Sequence, residues 1–174
     1  SRIKAEGPLS LDTYMAEALG HPEHGYYRTG DPFGGAGDFV TAPEISQMFG
    51  ELLGLWSMVC WRQLGAPASF NLVELGPGRG TLMADGMRVA SNVVPFYNAL
   101  HVHLVETSPL LRKYQQAALA AIDCPIHWHE QFVQVPNGPF VLLANEFLDA
   151  LPIRQFAGTA GVWRERLIDL TTAG

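Results

Sequence analysis

A chain of 174 residues with 48% apolar and 16% charged side chains has the material for one domain with a real core, which excludes a disordered polymer. The formal net charge of -6 and the scattered Lys and Arg exclude the basic stripe that general nucleic-acid binding needs. The apolar run "GLWSMVCW" is soon broken by Arg62 and Gln63, so no membrane-spanning segment is expected, and nothing resembles a signal or transit peptide.

In chain order, "LSLDTYMAEALGHP" reads as a short helix capped by Ser10, with Leu11, Met15, Ala18 and Leu19 on one face and Gly20 and Pro22 ending it. A glycine-rich stretch runs to residue 40. "TAPE" then predicts a helix start, with Thr41 as N-cap and Glu44 closing a capping box. The helix continues with Ile45, Met48, Phe49, Leu52, Trp56, Val59 and Cys60 at helical spacing, which predicts that this face is buried. Met48, Met58, Met83 and Met87 are read as core.

From residue 70 the rhythm becomes strand, helix, strand. "FNLVEL" is a first strand, followed by a glycine loop and a helix from Thr81 through Leu82, Met83 and Met87 to Val94. "HVHLVE" is the second strand, and "SPLLRKYQQAALAAI" a helix with Ser108 as N-cap and Pro109 at its first position. "PIHWH" and "PFVLLANEF" are the third and fourth strands. This alternation predicts an α/β fold: a doubly wound, mostly parallel sheet with helices on its faces. "LPIRQFAGTAGVWRERLIDL" predicts a terminal hairpin. Residues 1–69 are expected to form an N-terminal helical and loop region packing on the site, and 70–174 a Rossmann-like half-domain.

In such sheets a ligand binds beyond the carboxyl ends of the strands, where strand order reverses. Here the strands end in Glu74, in Glu106, in His129 and Glu130, and in Asn145 and Glu146. The loop after Glu74 carries Gly76, Pro77, Gly78 and Gly80, which is G-x-G-x-G rather than the G-x-G-x-x-G of dinucleotide dehydrogenases, and it has no phosphate-binding Lys. A carboxylate two residues before the loop repels pyrophosphate but suits a ligand carrying an ammonium and a sulfonium. S-adenosyl-L-methionine (SAM) carries both. Glu106 ends the next strand, where a carboxylate accepts hydrogen bonds from both ribose hydroxyls, and His129 is placed to flank adenine.

"VELGPGRGTLM", "GDFVTAPEISQMFGELLGLW", "HPEHGYY", "HLVETSP" and "NEFLDALP" together resemble the MidA-like family of SAM-dependent methyltransferases. The resemblance runs from about Gly7 to the hairpin near Leu170. It implies a seven-stranded methyltransferase fold and SAM as cofactor. It also implies arginine methylation in a partner protein, of the kind linked to respiratory complex I assembly in mitochondria. Family members continue well past the hairpin, so the chain is expected to be truncated after the fourth strand and hairpin. The same resemblance implies that the glycine-rich loop with Asp38 and Thr41 closes over the cofactor, with Phe39 or Tyr26 as a wall.

Methyl transfer to a guanidinium wants carboxylates that orient it and take its proton, because the group is protonated in water and a poor nucleophile. "NEFLDALP" supplies Glu146 and Asp149 for that work and the Asn145 amide oxygen beside them. The paired histidines lack a Cys or carboxylate partner at metal-site spacing, so no metal is expected. Cys60 and Cys124 form no C-x-x-C pair and read as buried thiols in a reducing compartment, hence a cytoplasmic protein, or one of the mitochondrial matrix in a eukaryote. A protein substrate, no nucleic acid, no membrane insertion and a possible homo-oligomer complete the expectations. The competing readings are a non-catalytic methyltransferase-like assembly partner and a nucleotide-dependent oxidoreductase.

Overall fold

The computed structural model describes residues 2–29 and 40–171. Its helices and strands, in order, are α1 (Arg2–Glu6), β1 (Leu9–Ser10), α2 (Leu11–Gly20), α3 (Tyr26–Thr29), α4 (Ala42–Ile45), α5 (Gln47–Gln63), β2 (Phe70–Leu75), α6 (Thr81–Ala90) and α7 (Val94–Ala99). β3 (Leu100–Val105), α8 (Pro109–Ala118), β4 (Ile126–His129), β5 (Phe140–Leu143), β6 (Phe156–Thr159), β7 (Val162–Glu165) and β8 (Leu167–Ile168) complete the series. Two compact units result, one of residues 31–147 and the other of 1–30 with 148–174. That division does not coincide with the boundary drawn between 69 and 70: the helix before β2 packs with the sheet, and the chain's two ends share a unit.

The larger unit holds the parallel sheet, in the order β4-β3-β2-β5. One face carries Phe70, Leu72, Leu100, Val102, Leu104, Val141 and Leu143, and α5, α6 and α7 cover it with Trp61, Leu82, Met83, Met87 and Phe96. Each such Leu or Phe removed from water contributes about 1.5–3 kcal/mol. Trp61 and Phe70 both set their rings against Phe96, with centroids 5.4 and 6.1 Å away. The opposite face carries a polar cluster, Asn71, His101, His103, His127 and His129 from β2, β3 and β4, beside the buried Val73 and Val105.

Four expectations need correction. The helix predicted from residue 42 is broken at Ser46, whose extended backbone (φ -144°) separates α4 from α5. The capping box does not form, because the Thr41 side chain makes no cap bond and Glu44 instead accepts from the Thr81 hydroxyl at 2.6 Å. The helix after the glycine loop stops at Ala90, and Val94, 62% exposed, opens the separate α7.

The face of α5 is the largest correction. The buried residues are Gly50, Gly54, Ser57 and Trp61, while Met48, Leu52, Trp56 and Val59 are exposed. Close approach of two backbones decides this. A Cβ on Gly54 would lie 2.5 Å from the carbonyl oxygen of Gly86 in α6, so α5 must present its smallest residues to α6. Met48 is accordingly not a core residue; Met83 and Met87 are.

In the smaller unit, β6 and β7 form the expected hairpin around Ala160 and Gly161, both with positive φ (51° and 80°), which matches the twist of a two-residue turn. β1 pairs antiparallel with β8, Leu9 opposite Ile168. No helix among the described residues is long and apolar enough to cross a membrane.

Candidate active site: a glycine loop at the strand-order reversal

The chain moves from β2 outward through β3 to β4, then returns to place β5 on the other side of β2. The reversal opens a crevice at the carboxyl ends of β2 and β5. There the chain turns through Gly76 (φ 61°), Gly78 (φ 54°) and Gly80 (φ 87°), a left-handed series that side-chain-bearing residues rarely adopt. The Gly76 amide donates to the Val105 carbonyl at 3.0 Å, anchoring the loop to the neighbouring strand, and the Gly80 amide donates to the Pro77 carbonyl at 2.8 Å. Gly80 is then the N-cap of α6. Phe147, just past β5, lies against Gly76 so closely that a Cβ there would meet its ring at 2.5 Å.

Two carboxylates sit beneath this loop at strand ends. Glu74 is 3% exposed, and its Oε2 has no hydrogen-bond partner among the described residues. Burial pushes its carboxyl up to about 8. Glu106 is buried but tethered: its Oε1 accepts from the Ser108 amide at 2.8 Å and its Oε2 from Gln115 Nε2 at 3.3 Å. Burial raises its carboxyl too, and the bonds from Ser108, Thr107 and Gln115 oppose that rise. Ser108 also caps α8, accepting from the Leu111 amide at 3.4 Å, so the local chemistry expected from "SPLL" is present.

The other candidates fall as follows. The His129 ring lies on the polar sheet face, 2.9 Å from His103 Nδ1 through its Nε2, and its backbone carbonyl accepts from the Glu106 amide. Its ring is thus engaged with His103, a partner the sequence reading did not anticipate. Asn145 is half-buried after β5, and the exposed Glu146 adopts φ 46°, one of three non-glycine residues with positive φ among those described. Strain of this kind concentrates at functional sites. Asp149 lies in the other unit, exposed, in the 3-10 turn Leu148–Ala150. Thr41 precedes α4, which delivers Glu44 to the Thr81 hydroxyl at the start of α6. Asp38 and Phe39 lie outside the described residues. No group of three or more His, Cys, Asp or Glu among the described residues is arranged to hold a metal.

Gln115 was missed in the sequence. It is fully buried and makes three hydrogen bonds: from Nε2 to the Gly78 carbonyl (2.8 Å) and to Glu106, and to its Oε1 from Trp128 Nε1 (3.0 Å). The available signal was a polar side chain at a core position, between Leu111 and Leu119 at four-residue spacing.

The model of a family described as "Putative S-adenosyl-L-methionine-dependent methyltransferase" matches residues 52–174. Among curated relatives, the mitochondrial protein arginine methyltransferase NDUFAF7 of Danio rerio is 43% identical over 191 residues, covering 98% of this chain and 45% of that protein. The Homo sapiens protein of the same name is 39% identical, covering 97% and 43%. A solved structure from Burkholderia thailandensis, described as a "likely methyl transferase" bound to S-adenosyl-homocysteine, superposes with a TM-score of 0.81 at 29% identity, over 99% of this chain and 46% of that one. The chain spans less than half the length of each. Glycine loop, strand-end acids, sheet order and these similarities agree, and the chain belongs to the SAM-dependent methyltransferase family.

Proposed function

We propose that this chain carries the cofactor-binding portion of a SAM-dependent protein arginine methyltransferase. The observation that carries the reading is the buried Glu74 carboxylate with an unpartnered oxygen at the foot of a loop of left-handed glycines. An isolated anion in that position is costly, and a cationic ligand is what would offset the cost. The fit to SAM is chemical: an acid for a cationic ligand, bare backbone at Gly76, Pro77 and Gly78 for close approach, and a second buried acid, Glu106, for ribose hydroxyls.

When bound, SAM supplies an electrophilic methyl group on a sulfonium. The chain's own contribution is alignment and proton handling. Glu74 ionises opposite positive charge; Glu106, fixed by the Ser108 amide, orients the sugar. Asn145 and Glu146, directly past β5, orient an incoming guanidinium, and Glu146 accepts the proton it must lose. Thr41, which precedes α4, and Asp38 are assigned to the cofactor side, as His129 is through the strand end it occupies.

The relatives' names suggest a mitochondrial setting and a role in complex I assembly, and we extend both to the protein of which this chain is the matching portion. Calorimetry with SAM, S-adenosyl-homocysteine and NAD tests the cofactor assignment: binding of the first two and not the third is expected, and NAD binding without SAM binding overturns it. Radiolabelled methyl transfer to arginine in a respiratory-complex subunit, lost in Glu146→Gln with S-adenosyl-homocysteine affinity retained, tests the catalytic assignment. Cofactor binding with no transfer in any combination would favour a binding partner instead.

A further inference from the structure

We propose that Gln115 is a positioning residue for the ribose end of the cofactor, tying the Glu106 carboxylate to the glycine loop through one amide nitrogen. This rests on the reading that the crevice takes SAM. The orientation of the amide follows from its partners. Trp128 Nε1 is a donor only, so the group facing it at 3.0 Å is the Gln115 oxygen. The NH2 group therefore faces the other way, with one hydrogen for the Gly78 carbonyl (2.8 Å) and one for Glu106 Oε2 (3.3 Å). All three interactions are internal, because Gln115 has no exposed surface.

The arrangement links three elements that would touch one ligand. Gly78 belongs to the loop, Glu106 directly follows β3, and Trp128 sits in β4. Gln115 reaches them from α8, whose backbone already meets the loop: a Cβ on Gly80 would lie 3.2 Å from the Gln115 Cα. Ser108 donates to Oε1 and Gln115 to Oε2, and the Thr107 amide adds a third bond to the Glu106 carboxylate. A carboxylate has about four acceptor positions, so about one is left open for a ribose hydroxyl. A buried apolar side chain of the same size would fill the space but take the Gln115 donor from Glu106 Oε2 and leave Gly78 O and Trp128 Nε1 unpaired.

The test separates positioning from packing with two ligands: S-adenosyl-homocysteine and its analogue lacking both ribose hydroxyls, each titrated by calorimetry into the full chain and its variants. Gln115→Met is expected to weaken S-adenosyl-homocysteine about tenfold while changing the analogue by less than about twofold. Gln115→Glu places an acceptor where a donor is needed, and its loss, about a hundredfold, is expected to shrink as pH falls and the new carboxyl regains a proton. Equal weakening of both ligands in Gln115→Met, or no weakening of either, overturns the proposal. If Gln115→Met does not fold by circular dichroism, Trp128→Phe decides, since it frees the amide to flip while leaving Gln115 in place: selective loss of S-adenosyl-homocysteine supports positioning, and equal or no loss overturns it. Wild-type chain that binds neither ligand overturns the SAM reading itself, a result distinct from binding that ignores Gln115.

Discussion

His103 and Glu74 sit on neighbouring strands, are 2% and 3% exposed, and meet their burial in opposite ways. Both nitrogens of His103 are bonded. Asn71 donates its amide N–H to the Pro136 carbonyl at 2.9 Å, which turns its oxygen toward His103 Nε2 at 3.2 Å, so Nε2 carries the proton. His103 Nδ1 then accepts from His129 Nε2 at 2.9 Å. The result is a polarised chain from His129 through His103 and Asn71 to the segment before β5, in which every polar atom of the His103 ring has a partner within the protein. Glu74 has no such closure at Oε2. A buried polar group satisfied by its own chain specifies a fold, and one left unsatisfied on an otherwise well-packed sheet points to a ligand. The difference separates structural polarity from binding polarity within one sheet.

The largest expected effect comes from closing the loop beside Glu74. Gly78 has φ 54°, and a β-branched side chain there strains the backbone and stands in the path of a ligand. Gly78→Val is expected to lower S-adenosyl-homocysteine affinity beyond detection by calorimetry, about a hundredfold or more, with the fold retained by circular dichroism. Wild-type affinity in that variant would detach the loop from the cofactor.

Glu74→Gln sharpens the contrast by keeping shape and removing charge. Its carboxyl is held at about 8 in the folded chain by burial and titrates near 4.5 when unfolded. Between those values the folded state binds more protons than the unfolded one, so stability falls as pH rises through that window. The wild-type melting temperature without ligand is expected to drop from pH 5 to pH 8. Glu74→Gln is expected to flatten that drop while weakening S-adenosyl-homocysteine about tenfold. A variant less stable than wild type at pH 8 would mean that Glu74 has a structural partner after all.

Much of this site was legible because its chemistry is local. Short apolar runs stop at Glu74, Val105 and Leu143, and glycines or polar residues follow at once, so strand ends and loop are visible without knowledge of what packs where. Ser108 and Pro109 announce α8 for the same reason. What escaped depends on distant partners. The buried face of α5 follows from where Gly54 meets Gly86, thirty-two residues on, and apolar spacing alone favours the Met48, Leu52, Trp56 face instead. Glu44 matched a capping box on spacing, yet its carboxylate goes to Thr81. The β1–β8 pairing joins two-residue strands from opposite ends of the chain, too short to carry a periodic signal. His103 and Gln115 hide in segments read as strand and helix, and only the three-dimensional neighbours explain a polar side chain at a fully packed position.

The smallest predicted effect lies on the closed side of the comparison. Burial, reinforced by His129, His127 and His101, pushes His103 down to about 4, so it is neutral in the folded chain at pH values where it is protonated when unfolded. Between about 6.5 and 4 the unfolded state therefore binds more protons. The stability that the neutral ring contributes is fully present above 6.5 and is lost as pH falls toward 4. Urea midpoints are expected to decline across that window. His103→Gln, which still offers a donor to Asn71 but does not titrate, is expected to flatten the decline while costing about 1 kcal/mol at pH 7 through poorer hydrogen-bond geometry. S-adenosyl-homocysteine affinity at pH 7 is expected to stay within about twofold of wild type, because both His103 nitrogens are taken by His129 and Asn71 and the buried ring has no polar atom left for a ligand. Cofactor affinity that falls with His103→Gln as steeply as with Glu74→Gln would erase the distinction between the two buried groups.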